Sequence, residues 1–459
     1  MIALTKQQEN SDLIYSLNDR PAPWKAAYAA FQHLLASFVA IITPTLIIGG
    51  TLGLGAEIPY LLSMSLVVSG VGTFIQARRI GPVGAGLLCL QGTSFAFLGS
   101  ILAAGFMVKN NGGGPDQVLA TIFGVCGVAA FVEIILSFFI TRIKRVITPV
   151  VTGVVITIIG LHLIKVGMTD LAGGFGADDF GSKENLAIGL ITLTVIVALN
   201  MAQRAIIRLS AIILGMLVGY GVALYWGMVS FVDFSQVPLI AVPIPFKYGI
   251  AFDLSVFVPI AIIYLVTAIE TSGDLTANSL VSREPTSGPV YLERIRGGVL
   301  GDGINSLIAS VFNTFPNTTF SQNNGIIQLT GVASRYVAYY VAALFVLIGL
   351  FPMVGAVLQS LPKPVLGGAT LVMFGTVTAA GVRVIAQADL NRNDLLLMAV
   401  AFGLAMGIES VPEVVNVLPD LPRSILGSPV TVGGLSAIFL SLILNRREPQ
   451  VALEGNKVT

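Results

Sequence analysis

Charge is scarce in this chain. Only 11% of its 459 residues are Asp, Glu, Lys or Arg, where a soluble protein carries roughly 25%. With 55% hydrophobic residues and a mean hydropathy of +0.87, no stretch is long and polar enough to stand as a soluble domain. The composition is that of a polytopic membrane protein. The two cysteines, Cys89 and Cys126, both lie in apolar runs, which excludes a disulfide framework and points to inert roles. A net charge of +1 gives no reason to expect a nucleic-acid partner. The first 25 residues lack an apolar core of the kind a cleaved signal peptide needs, so the first span is expected to act as its own insertion signal. There is no phosphate-cradling GxxxxGK motif, no HExxH and no CxxC pair. An ATP-driven pump and an intramembrane metalloprotease are therefore not expected.

What the chain has is apolar runs of spanning length. At about 20 residues per span, they fall near 28–50, 58–76, 119–143, 148–167, 185–203, 208–229, 254–275, 297–313, 335–360, 365–385, 394–410 and 430–446. Two shorter, interrupted segments lie near 84–104 and 316–332. Counted as broken spans, they bring the total to fourteen. Basic residues test that count. With the amino terminus inside, cytoplasmic loops receive Arg78 and Arg79, then Arg142, Lys144 and Arg145, then Arg204 and Arg208, then Arg283, Arg294 and Arg296, then Arg335, Arg383, Arg446 and Arg447. Outer loops receive Asp178, Asp179 and few basic residues, among them Lys109, Lys183 and Arg423. Both termini are thus expected inside.

A repeat divides the chain. Thr148-Pro149-Val150-Val151-Thr152-Gly153, running on to Gly160, matches Lys363-Pro364-Val365-Leu366-Gly367-Gly368, running on to Gly375, at an offset of 215 residues. One copy opens the fifth span and the other the twelfth. Seven spans separate them, so the copies are inverted in the membrane. A weaker match relates Gln91-Gly92-Thr93-Ser94-Phe95-Ala96 in the third span to Pro316-Asn317-Thr318-Thr319-Phe320-Ser321 in the tenth. The two interrupted segments are then symmetry mates, which is the best sequence pointer to a transport site.

The tenth segment, FPNTTFSQNNGIIQLT over 315–330, is almost half polar although it lies between apolar runs. Pro316 and the Asn and Thr residues after it disfavour a helix. Asn323, Asn324 and Gly325 suit the first turn of a new one. Extended backbone at membrane depth survives only where protein or a cavity surrounds it, with the positive end of the half-helix facing a polar ligand. Glu270 sits in an apolar span, where an ionisable group costs several kcal/mol unless it faces a cavity or a partner. Its carboxylate can accept two parallel N–H donors, as a ring with adjacent N–H groups presents them, or bond a neighbouring helix. Asp274 follows one turn later on the same face; it either shares a proton with Glu270 or is a satisfied polar residue. Asp302, in Gly301-Asp302-Gly303, is a functional carboxylate or marks a helix start. His33 supports the site by a hydrogen bond or carries a proton. His162 reads as an interfacial residue beside Lys165. Gln322 can read a ring C=O next to an N–H, Asn323 binds ligand or caps the half-helix, and Phe95 stacks on a flat heterocycle or is ordinary core.

These motifs resemble one family. Gln322-Asn323-Asn324-Gly325 with Thr330-Gly331, Thr271-Ser272-Gly273-Asp274 after Glu270, and Gln32-His33 are similar to the signatures of the nucleobase–ascorbate transporters. The run QNNGIIQLTGVASRY looks most like the bacterial xanthine permeases, and the resemblance extends from about Gln32 to Asn445. It implies an all-α polytopic fold of 14 segments in a 7+7 inverted repeat, with short extended pieces in segments 3 and 10. It divides the chain into tails at 1–27 and 447–459, a core at 28–145 and 251–360, and a gate at 146–250 and 361–446, the gate also serving a homodimer. It implies proton-coupled uptake of a purine base, xanthine first, across the bacterial cytoplasmic membrane, with no cofactor beyond the coupling H+. Site residues would be Glu270, Gln322, Phe95, Ser94, Asn323, Ser321 and Ala40, with Asp274, Asp302 and His33 handling or supporting the proton. Some members carry Glu where this chain has Gln322, so the ionisable burden falls on Glu270 and Asp274. A urate or uracil permease is the alternative within the class. A channel or receptor on the same scaffold is the alternative outside it. Anion exchangers of related fold would need a positive site, where this chain places a carboxylate.

Overall fold

The computed structural model describes residues 13–143, 148–230, 235 and 237–444. Lys144, Arg145, Arg446, Arg447 and most of the two expected tails lie outside them. Helices dominate. The first half runs α1 (Pro23–Thr51), α2 (Ile58–Arg78), β1 (Gln91–Thr93), α3 (Leu98–Asn110), α4 (Pro115–Ile143), α5 (Pro149–Leu171), α6 (Lys183–Asn200), α7 (Ala205–Leu209) and α8 (Ala211–Tyr225). The second half runs α9 (Leu254–Val281), α10 (Gly288–Val311), β2 (Asn317–Thr319), α11 (Gln322–Thr330), α12 (Arg335–Gly349), α13 (Pro352–Gln359), α14 (Lys363–Ala386), α15 (Arg392–Ser410), α16 (Asp420–Leu426) and α17 (Pro429–Leu444). Among the described residues, eight helices are long and apolar enough to cross a membrane: α1, α2, α4, α5, α6, α9, α14 and α15. Many apolar helices that are buried on one side and exposed on the other make this a multi-pass membrane protein.

The run 335–360, expected as one span, is two helices. α12 and α13 meet at a 74° bend. Pro352 opens α13, and a proline there removes the backbone donor that a continuous helix would need.

The repeat around Pro149 and Pro364 forms an antiparallel helix pair. Both prolines sit in the first turn of their helices, α5 and α14, where the missing N–H costs nothing. A Cβ on Gly153 would lie 2.8 Å from Gly381 O, one on Gly160 2.6 Å from Thr378 N, and one on Gly367 2.0 Å from Leu171 N. The backbones touch, so side chains are excluded along this crossing. Gly368 meets Gly189 O of α6 instead, and Gly375 stands in open space.

The chain before α1 is tied down. Ile14 N and Tyr15 N donate to Gly331 O, Ala333 N to Tyr15 O, and Arg335 N to Leu17 O. The segment thus pairs with the turn between α11 and α12.

Candidate functional site

β1 and β2 pair antiparallel, Gln91 opposite Thr319, Gly92 opposite Thr318 and Thr93 opposite Asn317. The pairing continues at both ends, with Phe320 N donating to Leu90 O at 3.0 Å and Ser94 N to Pro316 O at 2.8 Å. All six strand residues are buried. Each broken segment therefore supplies the backbone partners that the other needs, which is how extended chain persists inside an apolar bundle. Gly92 is required at the crossing: a Cβ there would meet the Phe320 ring at 2.4 Å and the Ile41 side chain at 2.7 Å.

Asp302, fully buried in α10, holds the crossing together. Its carboxylate accepts from Gln76 Nε2 at 2.6 Å, Gln91 Nε2 at 2.7 Å and Thr271 Oγ1 at 2.5 Å, and from Thr319 N at 3.1 Å and Thr318 Oγ1 at 3.4 Å. Four lone-pair sites are available on a carboxylate, so this one has no acceptor to spare. It joins α2, β1, α9 and β2 at one point. Gln76 is likewise used up: its Nε2 also reaches Gly298 O, and its Oε1 accepts from Ala85 N.

α9 presents Glu270, Asp274 and Asn278, each one turn apart, as a polar stripe. Asp274 is buried and accepts a long 3.5 Å bond from Thr319 Oγ1. Asn278 donates to Leu88 O and to Asn324 Oδ1, both at 2.8 Å, while Asn324 Nδ2 returns a bond to Asp274 O at 3.2 Å. Asn323 Nδ2 donates to the same Leu88 O at 2.5 Å. The first turn of α11, where Gln322 stands, is thus clamped to α9 and to the lead-in of β1.

Glu270 differs from these neighbours. It is half-buried, makes no hydrogen bond to another described residue, and its Oε2 is buried without a partner. Gln322 is half-buried and also unbonded among the described residues. Phe95, between β1 and α3, is half-buried and meets Phe374 of α14 edge-on, with centroids 5.1 Å apart. Ser94 is buried with a free Oγ, Ser321 is half-buried at the start of α11, and Ala40 is 2% exposed inside α1. His33 is buried against Asn323, and neither ring nitrogen nor Asn323 Oδ1 is satisfied by hydrogen-bond geometry. Among the described residues, Glu270 keeps an unpaired acceptor and Gln322 an unbonded amide, the groups that can pair with a polar ligand.

His162 lies apart from this site. Its Nδ1 contacts Glu409 Oε2 of α15 at 2.5 Å, and Lys165 Nζ contacts Oε1 of the same residue at 3.0 Å. Sequence reasoning did not reach Gln76, Asn278 or Glu133. Asn278 was within reach as the next step of the Glu270–Asp274 spacing. Glu133 is 1% exposed in α4, with Oε1 unpartnered; a lone carboxylate in an apolar run was its signal. Gln76 offered only its polarity.

The chain matches the Permease family over residues 24–414. It belongs to this family. Relatives include a protein named xanthine permease XanP from Escherichia coli, 44% identical over 443 residues, or 95% of this chain and 96% of that one. A second Escherichia coli protein, xanthine permease XanQ, is 43% identical over 95% of this chain and 94% of its own. A xanthine permease from Bacillus subtilis is 31% identical over 92% and 94%. Family members of this kind are transporters, not enzymes. The fold is shared more widely. The transmembrane domain of the cyanobacterial bicarbonate transporter BicA aligns at a TM-score of 0.54 and 16% identity, covering 89% of this chain and 99% of that domain. A murine solute carrier 26 anion transporter in its inward-facing state aligns at 0.60 and 11% identity, covering 93% and 69%. Within the family, the clamp on α11 carries a prediction. Asn278→Ala removes the donor to Asn324 and Leu88, each bond being worth roughly 0.5–1.5 kcal/mol. The purified variant should unfold at a measurably lower temperature than the wild type, because two buried bonds are lost together. An unchanged unfolding temperature would show that the clamp does not hold α11 in place.

Proposed function

We propose that this chain is a proton-coupled importer of a purine base, xanthine first, with urate or uracil as the alternative substrates. The observation that carries the reading is Glu270: a carboxylate in an apolar helix with no hydrogen-bond partner among the described residues, beside a crossing whose own carboxylate, Asp302, is saturated by donors, in a chain 44% identical to a protein named xanthine permease. An unpaired intramembrane carboxylate is costly, and a ligand with two adjacent ring N–H groups supplies what it lacks. Glu270 and Gln322 hold the base edge, Phe95 covers its plane, and Asn323 and Ser94 border it. Glu270 and Asp274 handle the proton, with His33 supporting Asn323. Asp302, saturated by donors, serves the proton indirectly by fixing the crossing.

Fourteen spans follow if α12 with α13 counts as one bent span and if the shorter apolar helices α3, α8 and α17, the helix α10 and the β2–α11 segment each count as one. Transport would move the core, α1–α4 with α9–α13, against the gate built on the α5–α14 crossing, with Phe95 and Phe374 meeting at the boundary. Cysteines placed at Gly176 and Ser287 are expected to label from opposite faces, Gly176 from outside; labelling from one face rules the fourteen-span arrangement out. The function is tested by uptake of radiolabelled xanthine against a panel of unlabelled purines and pyrimidines. Accumulation should collapse with a protonophore and persist without sodium. Protonophore-resistant, sodium-dependent uptake would remove proton symport, and passive equilibration would point to a channel.

A further inference from the structure

A cavity of about 410 Å³ lies outside the crossing, where the end of α1 and the start of α2 meet the α13–α14 turn. Its floor is glycine backbone, Gly50 and Gly53 among others, and its walls include Ile58 and Leu366. Two polar side chains enter it, Lys363 and Gln359. Gln359 Nε2 is spent on Gly55 O at 2.8 Å, while its Oε1 is buried without a partner. Lys363 Nζ is held only loosely, 3.8 Å from Asp170 Oδ1, and would lie 2.8 Å from a Cβ on Gly50.

The repeat makes Lys363 conspicuous. Its counterpart at the offset of 215 residues is Thr148, whose hydroxyl caps α5 by accepting from Val151 N at 3.2 Å. In the second copy the cap is lost, since Pro362 provides no side-chain bond to α14. A cation at the first turn of a helix opposes the helix dipole. The lysine does nothing for α14 that the threonine did not do better for α5, yet it places an ammonium in the cavity. Leu46, another wall residue, is six positions along α1 from Ala40, about 9 Å at 1.5 Å per residue.

We propose that this cavity is a second, outlying binding site for the transported base, through which the base passes on its way to or from the site at Glu270. The inference rests on the purine reading given above. An oxopurine fits the chemistry: its carbonyls accept from Lys363, a ring N–H donates to Gln359 Oε1, and its flat faces lie on glycine backbone and aliphatic wall. A small inorganic anion would use Lys363 but leave the apolar walls and the amide oxygen unmet.

The test is maleimide labelling of Gly50→Cys in the full-length protein, with and without xanthine, in a Glu270→Gln background that weakens the deep site. Cys89 and Cys126 are buried, so background labelling is slow. Xanthine should slow labelling severalfold, inorganic phosphate should not, and adding Lys363→Met or Gln359→Leu should abolish the protection. Labelling that ignores xanthine overturns the proposal, as does protection that survives both cavity variants, or protection by phosphate alone. Ser321→Cys in an otherwise native chain reports the deep site separately. Protection there but not at position 50 sinks the outlying site alone; protection at neither sinks the purine reading as well.

Discussion

Glu270→Gln is expected to lower affinity for the base by about tenfold or more while leaving the folded protein intact. The replacement keeps size and shape and exchanges one acceptor for a donor. That donor would face a ring N–H of the base, so a paired contact becomes donor against donor. An unmade bond at a buried polar group costs roughly 1–3 kcal/mol, more when charge is involved, and 1.4 kcal/mol is one decade of affinity. Because Glu270 makes no hydrogen bond to another described residue, the substitution strands nothing in the ligand-free protein. Thermal unfolding of the purified variant should match the wild type, and surface labelling should show normal delivery to the membrane. Gln322→Glu is a different change, adding an acceptor and a possible second charge. Its expected mark is an altered base preference rather than lost binding. Glu270→Gln binding the same bases with native affinity would move the site away from α9.

Much of this site could be read from the residues because membranes penalise polarity. Pro316, Asn317, Thr318 and Thr319 could not be an ordinary span, and extended chain in that position needs a partner. The match to Gln91–Ala96 marks the two segments as symmetry mates, and the structure adds that they pair with each other as strands. Glu270 and Asp274 were conspicuous for the same reason. What the sequence hid was division of labour. Asp302 and Glu270 look alike on paper, each a carboxylate in an apolar run. One is saturated and the other bare, because Gln76 lies 226 residues from Asp302 and Gln91 lies 211 residues away. No local pattern reports such a contact. The bend between α12 and α13 was hidden differently. Pro352 announces a break, but the surrounding apolar run is long enough for one span and masks it. The helix crossing of α5 and α14 shows in the sequence only as a repeat, because the close approach at Gly153 and Gly160 joins residues more than 200 positions apart.

Asp302→Ala should act on the fold before it acts on transport. The substitution leaves Gln91 Nε2, Thr271 Oγ1 and Thr319 N without their acceptor in a dry interior, and costs Gln76 Nε2 one of its two. Thr271 can turn its hydroxyl to Thr318 at 3.3 Å, and Gln76 keeps Gly298 O, so the losses are not additive. Each buried donor left without an acceptor typically costs about 1–3 kcal/mol, so the combined loss is a large share of the roughly 5–15 kcal/mol that holds a typical protein folded. The variant should therefore unfold at a markedly lower temperature and reach the membrane in small amounts. Asp302→Asn separates structure from proton handling. Its Oδ1 can still accept from the two glutamine amides, but its Nδ2 would face the N–H of Thr319, donor against donor. Stability should fall to a level between the wild type and Asp302→Ala, with base binding reduced in parallel because β1 and β2 carry Ser94 and Phe95 into place. A proton carrier would behave otherwise. Native thermal stability and native base binding, with uphill accumulation alone abolished, would show that Asp302 passes the proton itself, and the division of roles between it and Glu270 would have to be reversed.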